Sequence, residues 1–265
     1  MSRYNTFMAT ALITGASGGI GYELAKFLAR DRHNLVLVAR SADKLTQVAD
    51  ELQKQGITVR TIPIDLASPP APKFIFDQLQ REGINVEILI NNAGFGAHGE
   101  FARMPQEEIL GQIDLNIRAL TELTRLFLPA MIQRRAGRIM NVASTAAFQP
   151  GPLMAVYYAT KAYVLSFSEA LANEVKSSGV TVTCLCPGPT ETGFGRRAGN
   201  NKARMFKYAA MSAERVAEDG YRALMEGRTL VISGAQNWLV AQSVRLAPRK
   251  VVTAISRWIA EKPNA

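Results

Sequence analysis

Residues 156–163, VYYATKAY, place two tyrosines ahead of a lysine. In a helix, Tyr157 would lie one turn before Lys161, and Tyr158, three residues before the same lysine, would share that face. A free phenol has a pKa of about 10, and a nearby ammonium group favours its ionised form. The pair therefore suits proton exchange with a substrate oxygen. Helix geometry alone does not decide which of the two tyrosines pairs with Lys161.

A glycine-rich stretch, TGASGGIG at residues 14–21, follows the first apolar run. Glycines let the backbone turn tightly and approach a pyrophosphate, which then lies on a helix N-terminus. The pattern G-x-G-x-x-G fails because Leu24 stands at its last position. The spacings G-x-x-x-G-x-G and G-x-x-G-x-x-G both fit, and the loop does not choose between them. Cofactor contacts are expected here from Gly15, Ser17, Gly18, Gly19, Ile20 and Gly21.

The residues after the second and third apolar runs bear on the adenosine half of a dinucleotide. Ala39 stands where a carboxylate would bind the ribose of NAD, and Arg40 and Ser41 follow it. A guanidinium suits a 2′-phosphate through charge-assisted hydrogen bonds, which favours NADP(H) over NAD(H). Asp65 and Leu66 follow the third run. The carboxylate is placed either to accept from the adenine amino group or to cap the next turn.

Small and polar residues also follow the fourth, fifth and sixth runs. The stretch NNAG at 91–94 lets the backbone flank the adenosine ribose, and Ser144 follows the fifth run. The turn PGPTET at 187–192 offers backbone and hydroxyl groups to a nicotinamide carboxamide. Cofactor contacts are expected here from Asn92, Ala93, Gly94, Pro187, Gly188, Thr190 and Thr192.

These residues are positioned by an alternation of short apolar runs and longer amphipathic stretches. Strands are predicted at 9–14, 34–39, 58–64, 86–91, 137–143, 180–186 and 229–232. Helices are predicted at 19–30, 42–55, 69–82, 105–135, 155–178 and 212–226. Strands that are apolar throughout are buried on both faces, and ligands of such sheets bind beyond the carboxyl ends of the strands. We predict one α/β domain over residues 1–265, a Rossmann-like doubly wound parallel sheet of about seven strands with helices on both faces.

Composition narrows the function classes. The chain has 265 residues and a net charge of +9, which favours anionic partners, but its basic residues are too scattered for nucleic acid. Cys184 and Cys186 would face one side of a strand, too close along the chain for an ordinary disulfide. With His33 and His98 far away, no metal site is expected. The sequence shows no signal peptide and no apolar run long enough for a membrane span, so we expect a cytoplasmic protein.

Together these residues resemble the short-chain dehydrogenase/reductase family in its ordinary-length form. The resemblance runs from residue 9 to residue 233, and NNAG and the interval from Ser144 to Tyr157 favour this form over the extended one. Within it, VARSADKL and YYATKAYVLSFSEAL are similar to NADPH-dependent 3-ketoacyl and 17β-hydroxysteroid reductases. The motifs that carry it, all in family order, are residues 14–21, Asp65, residues 91–94, Asn116, Ser144, Tyr157 with Lys161, and residues 187–192.

The resemblance implies a role for each catalytic candidate. It selects Tyr157 as the general acid for reduction of a ketone or aldehyde to an alcohol, and Lys161 as the residue that also holds the nicotinamide ribose. Ser144 would hydrogen-bond the substrate oxygen, and Asn116 would hold a water that links Lys161 to solvent. Tyr158 would then pack with Ala162 and Leu165 as a core aromatic.

Two further classes stay open: an NADP(H)-binding regulatory protein without turnover, and an enzyme of other chemistry such as epimerisation. Regulators of this fold commonly lack the tyrosine or the lysine, and both are present here. Oligomerisation as a homodimer or homotetramer would use the helices at 105–135 and 155–178.

Two segments bear on the substrate. The resemblance implies that residues 190–212 form a lid over the substrate. The apolar side chains of this segment suggest a substrate with an apolar body. Its basic side chains could bind the phosphates of a thioester carrier. These side chains are Phe194, Met205, Phe206 and Tyr208, with Arg196, Arg197 and Lys202. Gly96, Ala97 and His98 would border the pocket. The helical extension at 234–265 could lie on an anionic membrane, cover the pocket or join a subunit interface; packing on its own domain or a sister subunit is favoured over the membrane.

Overall fold

Seven parallel strands form the centre of the computed structural model, which describes residues 8–199 and 210–261. They are β1 (Thr10–Thr14), β2 (Asn34–Ala39), β3 (Val59–Pro63), β4 (Ile88–Asn91), β5 (Gly137–Val142), β6 (Val180–Cys186) and β9 (Leu230–Ile232). Their order in the sheet is β3-β2-β1-β4-β5-β6-β9. The two-residue strands β7 (Thr190–Glu191) and β8 (Met211–Ser212) pair beside this sheet.

The helices cover both faces of the sheet. They are α1 (Gly19–Arg30), α2 (Ala42–Gln53), α3 (Ala71–Arg81), α4 (Gln106–Ile113), α5 (Leu120–Gln133), α6 (Ala155–Glu174), α7 (Phe194–Arg197), α8 (Ala213–Glu226), α9 (Ala235–Ser243) and α10 (Arg249–Ala260). Leu24, Leu45 and Val216 bring α1, α2 and α8 into one buried cluster, and Ile75 and Phe127 bring α3 and α5 into a second. The predicted doubly wound fold is therefore confirmed.

The strand order reverses at β1, which pairs with β2 on one side and β4 on the other. Crossovers leave in opposite directions at such a point, so a crevice opens at the carboxyl ends of the strands. The turns after β1, β4, β5 and β6 therefore converge on one edge. Among the described helices, none is both long and apolar enough to cross a membrane.

The region predicted as one helix at 105–135 contains an irregular turn. α4 and α5 are joined without a break by a π-helical turn at Asp114–Ala119, which includes Asn116. Such turns contain an extra residue and are frequent at functional sites. The turn changes which side chains of this helix face the sheet.

A buried chain of polar side chains links the two central strands to the helices over them. The Asn91 Nδ2 atom donates to Asn141 Oδ1 at 2.9 Å and to Thr124 Oγ1 at 3.0 Å. Asn141 Nδ2 in turn donates to Ser168 Oγ at 2.9 Å. Because a buried polar group costs free energy unless it is paired, these bonds fix β4 and β5 relative to α5 and α6.

The C-terminal extension forms two helices, α9 and α10, which meet the rest of the fold near the strand ends. A Cβ atom at Gly188 would lie 2.4 Å from Asn237 Nδ2, so α9 packs directly on the turn after β6. At the far end of α10, the carbonyl of Ala260 lies 2.9 Å from His98 Nε2. His98 is also bound through its backbone N–H to the carbonyl of Ala198, at 2.9 Å.

Candidate active site

A cavity of about 470 Å³ lies at the carboxyl ends of the strands. It brings together residues from the turns after β1, β4, β5 and β6 and from α6. The predicted site residues that line it are Gly15, Ser17, Gly18, Gly19, Ile20, Asn92, Ala93, Gly94, Ser144, Tyr157, Lys161, Pro187, Gly188, Thr190 and Thr192. The predicted residues that do not line it are Gly21, Arg40, Ser41, Asp65, Leu66 and Asn116.

The turn after β4 holds the glycine loop in place. Asn92 Nδ2 donates to the carbonyl of Thr14 at 2.8 Å, and Thr14 Oγ1 accepts from the backbone N–H groups of Asn92 and Ala93, both at 2.9 Å. A Cβ atom on Gly21 would lie 2.5 Å from the carbonyl oxygen of Gly15, so no larger residue fits there without a shift. Gly21 therefore serves the shape of the loop rather than the wall of the cavity.

The loop fits a dinucleotide pyrophosphate. Gly19 begins α1 with a left-handed φ of 57°, and a Cβ atom on Gly18 would have no atom within 4 Å. The N-terminus of α1 and the glycine backbone thus face open space, which is the arrangement that binds phosphate. Lys44, in the first turn of α2, lines the same cavity and adds a positive charge. Lys44 was not among the residues predicted from the sequence.

The groups expected at the adenosine end lie outside the cavity wall. Arg40 is exposed at the end of β2. Asp65 Oδ1 accepts from the backbone N–H of Ala67 at 3.0 Å, so the carboxylate does cap its own turn. The Leu66 side chain is buried in the core beside β2 and β3, which leaves only its backbone for a cofactor.

A second guanidinium reaches this end from α7. The Arg197 guanidinium lies 4.2 Å from the ring centroid of Phe95, and Arg197 lines the cavity. Desolvation by surrounding atoms lowers the pKa of Arg197, and the positive charge of Arg40 adds to this lowering, whereas Asp65 opposes it. The Arg40 and Arg197 guanidinium groups are therefore close enough to repel each other.

Tyr157 and Lys161 lie one helical turn apart on α6, both buried. The Lys161 ammonium is 5.8 Å from the Tyr157 ring centroid, and its Nζ atom donates to the carbonyl of Val142 at 2.7 Å. Burial lowers the pKa of Lys161 to about 8. Burial also raises the pKa of Tyr157 well above its ordinary value, and a hydrogen bond with Ser144 opposes that rise.

The raised Tyr157 pKa differs from the lowering expected from a neighbouring cation. Desolvation of the buried phenolate dominates, because the ring lies among apolar groups from Tyr158 and Phe194. Tyr157 is therefore a protonated phenol at neutral pH. Lys161, whose pKa is near 8, is still mostly an ammonium ion at neutral pH.

Ser144 lies beside Tyr157 and has a second role in the backbone. Its Oγ atom accepts from the backbone N–H of Ala146 at 3.1 Å and so caps the short 3-10 helix Thr145–Phe148. Its own O–H contacts the carbonyl of Pro187 at 3.4 Å, a long bond that is easily exchanged for another acceptor. The capping contact fixes the side chain at the cavity wall.

Asn116 lies behind Tyr157 and Lys161, held by its neighbours. Its side chain bonds both backbone groups of Phe95, at 2.8 and 3.1 Å, and donates to Thr160 Oγ1 at 3.1 Å. A Cβ atom on Gly94 would lie 3.1 Å from Asn116 Oδ1 and 3.4 Å from Lys161 Nζ. Asn116 therefore aligns the turn after β4 against α6, next to the lysine.

Tyr158 does not pack as predicted with Ala162 and Leu165. Ala162 is exposed, and Leu165 packs in a different cluster. The Tyr158 ring instead lies over Gly151, where a Cβ atom would come within 2.1 Å of it, and it lines the cavity. The ring is buried, as predicted for a core aromatic, but its neighbour is the loop before α6, which folds back over it.

Aromatic and aliphatic side chains line the substrate end of the cavity. Phe194 lies 5.1 Å from Tyr157 between ring centroids, and Met154 and Tyr158 complete an apolar wall. Phe194 was predicted as part of a lid, but Met154 was missed, because a methionine ahead of a helix carries no signal of its own. Met205, Phe206, Tyr208 and Lys202 lie outside the described residues.

Cys184 and Cys186 are buried, free thiols whose Sγ atoms are 3.8 Å apart. The hydrogen bond with Cys184 and burial raise the pKa of Cys186 well above its ordinary value. They pack under α6 with Val164, as the prediction of small buried side chains requires. Among the described residues, no group of acidic, histidine or cysteine side chains is arranged to hold a metal ion.

Comparisons with known proteins identify the family to which this chain is similar. The profile of the family described as short chain dehydrogenase matches residues 9–203. Ketoacyl reductase HetN of Nostoc sp. is 36% identical over 179 residues, 68% of this chain and 62% of that protein. The match thus spans less than two thirds of that relative's length.

Two solved structures share the whole architecture. A short-chain dehydrogenase from Sphingobium yanoikuyae in complex with NADPH is 33% identical, with a TM-score of 0.81 over 90% of this chain and 94% of the other. A short chain dehydrogenase/reductase from Burkholderia phymatum in complex with NAD is 25% identical, with a TM-score of 0.81 over 100% of both chains. The chain belongs to the short-chain dehydrogenase family.

Proposed function

We propose that the chain is an NADPH-dependent reductase that converts a carbonyl group to an alcohol, with Tyr157 as general acid. One observation carries the proposal: the glycine loop, Ser144, Tyr157 and Lys161 all line a single cavity. A site that joined only the loop residues would support binding alone. The presence of a buried phenol, hydroxyl and ammonium at the other end supports chemistry on a bound carbonyl.

Bound NADPH would supply the hydride. Ser144 Oγ and the Tyr157 hydroxyl hold the carbonyl oxygen, which orients the substrate and stabilises the charge that develops on that oxygen. Tyr157 then transfers its proton from the phenol oxygen to the substrate oxygen. An alkoxide is a stronger base than a phenolate, so even a phenol with a raised pKa gives up its proton to the alkoxide that hydride transfer leaves.

Lys161 stabilises the phenolate that this transfer leaves. Its ammonium group is fixed by the carbonyl of Val142 and is close enough to the Tyr157 ring to interact electrostatically. The attraction strengthens when the ring carries a charge, since the interior around both groups has a low dielectric constant. Lys161 therefore acts more strongly after proton transfer than before it. Asn116 holds the turn after β4 against α6, next to Lys161.

Preference for NADPH over NADH rests on Arg40. Ala39 leaves no carboxylate at the end of β2, and the exposed guanidinium that follows is free of the ion pairs found among the described residues. Arg197, which lies across the cleft, adds positive charge at the same end. A 2′-phosphate would relieve the repulsion between these two cations, and an unmodified ribose would not.

The substrate that fits best has a carbonyl next to an apolar body. Met154, Tyr158 and Phe194 line the cavity beside Tyr157 and offer no charge to a polar substrate. A 3-ketoacyl thioester meets this description, and the relative named ketoacyl reductase supports it.

We also propose assembly as a homodimer or homotetramer through α4, α5 and α6, where Leu110 and Ile113 are exposed.

The test is NADPH oxidation with 3-ketoacyl thioesters of increasing chain length, followed as loss of reduced-nicotinamide absorbance. Tyr157→Phe keeps the ring that packs against Phe194 and should lower turnover by about two to four orders of magnitude while NADPH still binds. Tyr158→Phe is the matched control and should retain turnover. Retained turnover in Tyr157→Phe would refute the acid assignment. NADPH binding without oxidation across a panel of carbonyls would indicate a regulatory protein instead.

A further inference from the structure

The two C-terminal helices present large apolar side chains to solvent. Seven such side chains, 48 to 90% exposed, fall within residues 238–258 and are here called the C-terminal apolar surface. They are Trp238, Leu239, Val240, Leu246, Val251, Ile255 and Trp258. Scattered exposed apolar residues are ordinary on a soluble domain, but a concentration of this kind indicates a surface with a partner.

Helix α10 shows how the two faces divide. Val252, Ser256 and Ala260 are buried at intervals of four residues and hold the helix on the domain. Val251 and Ile255 lie on a separate, outward face, also four residues apart. A helix that packed only on its own domain would have polar residues on its outward face.

The charged residues of this segment are mostly basic. Arg245, Arg249, Lys250 and Arg257 lie in it, no acidic residue occurs from position 227 to position 260, and Glu261 pairs with Arg257 at 3.1 Å. Arg249 and Lys250 are exposed on α10 and do not take part in that pair. The surface is therefore apolar with a basic border.

Both tryptophans of the chain belong to this surface. Trp238 and Trp258 are about half exposed, one on each helix. Tryptophan is enriched where protein meets the boundary between lipid headgroups and acyl chains, because its ring is apolar and its N–H is polar. Leucine, isoleucine and valine on the same surface would reach below that boundary.

We propose that the C-terminal apolar surface docks onto an anionic lipid bilayer, with the apolar side chains in the headgroup–acyl boundary and the basic residues on the phosphates. This combination of an apolar face, tryptophans and lysine or arginine is what binds a helix in the plane of a membrane. The docking is peripheral, since no described helix can span the bilayer.

A second copy of the chain fits this surface less well. A two-fold symmetric contact brings the same patch of each subunit together, so the basic border of one copy would meet the basic border of the other. Glu261 already pairs with Arg257 within its own copy, so the segment has no further acidic residue to compensate Arg245, Arg249 and Lys250. Like charges across an interface repel each other, whereas anionic headgroups satisfy them.

Docking would bring the cleft close to the bilayer. α9 lies on Gly188, which lines the cavity, and the end of α10 contacts His98 beside the α7 segment. A membrane under these helices would therefore lie next to the substrate end of the cavity.

The experiment uses the full chain with vesicles of phosphatidylcholine and phosphatidylglycerol in equal parts, and with vesicles of phosphatidylcholine alone. We expect co-sedimentation with the anionic vesicles, weakened by high salt, and a blue shift of tryptophan emission. Because both tryptophans lie on the surface, the emission reports this surface and no other. Absence of binding to the anionic vesicles, or equal binding to both kinds, would overturn the proposal.

Two pairs of variants locate the contact. Arg249→Glu/Lys250→Glu should weaken binding about tenfold or more, whereas Lys54→Glu/Lys176→Glu, the same charge change at exposed sites elsewhere, should weaken it much less. Equal losses in the two would show only an effect of net charge and would sink the proposal.

Apolar variants test the insertion itself. Leu239→Ser/Ile255→Ser should abolish the emission shift, while Phe74→Ser, at an exposed site on α3, should leave it unchanged. Circular dichroism checks that each variant is folded. If Leu239→Ser/Ile255→Ser bound vesicles like the parent chain but lost oligomeric mass, the surface would belong to a second copy and the lipid assignment would be wrong.

Discussion

Replacement of Lys161 by methionine is expected to stabilise the fold at neutral pH while it abolishes turnover. The lysine is 5% exposed, and its burial lowers the pKa from 10.5 to about 8. The folded state therefore disfavours the ammonium form of Lys161, which the proposed reaction requires. Methionine has a similar length and no charge to desolvate.

The size of this stability change follows from the linkage between proton binding and folding. Between pH 8 and pH 10.5 the unfolded chain holds the lysine proton and the folded chain does not, so stability rises with pH in that window. The folded state of the parent chain is penalised by about 3 kcal/mol at pH 7 and by about 1 kcal/mol at pH 10. Loss of the donor to Val142 costs the variant about 1–3 kcal/mol, but this cost does not change with pH.

The measurement is urea denaturation of both proteins, without cofactor, at several pH values from 7 to 10. The stability difference, Lys161→Met minus parent, should fall by about 2–3 kcal/mol across that range. Lys176→Met, at an exposed site, should show a difference that does not change with pH. A pH-independent difference for Lys161→Met would show that the lysine is not buried as an ammonium ion, and the electrostatic account of the site would fail.

Three further outcomes follow from the site. In steady-state assays, kcat/KM for reduction should be constant below pH 8 and fall about tenfold per unit above it, as Lys161 loses its proton; a profile that keeps rising to pH 10 would contradict this. Arg40→Ala should weaken NADPH binding by about ten- to a hundredfold in calorimetry and leave NADH unchanged, and equal losses would discredit the NADPH preference. Gly18→Ala should keep its thermal midpoint but bind NADPH less tightly, whereas Gly21→Ala, which meets Gly15 at 2.5 Å, should lose about 1–3 kcal/mol of stability; the reverse ranking would show that the loop roles are exchanged.

Much of the fold could be predicted from the sequence because the physical signal is strong at strand ends. Seven mainly apolar runs that alternate with amphipathic stretches favour a covered parallel sheet, and such a sheet places every following turn on one edge. Ser144 and Tyr157, thirteen residues apart in sequence, therefore meet at one cavity. Asp65 shows where prediction from the sequence ends. Its carboxylate could accept a hydrogen bond either from a cofactor's adenine or from its own turn, and the sequence does not distinguish these two donors.

Other features depend on contacts that no local pattern encodes. Lys44 and Arg197 reach the cleft from α2 and α7, and a cationic side chain on a helix gives no sign of which way it points. The ring of Tyr158 rests on Gly151 because a loop returns over it, which is a tertiary event. The lowered pKa of Lys161 likewise follows from the depth of the cleft rather than from its spacing to a tyrosine.

The π-helical turn at Asp114–Ala119 makes the position of Asn116 depend on chain length as well as on side chains. Deleting one residue there would replace the π-helical hydrogen bonds with regular α-helical ones, and would turn the Asn116 amide about 100° relative to Phe95. Evolution could therefore lose or regain this alignment through a single inserted or deleted codon, a route that comparisons restricted to substitutions would overlook.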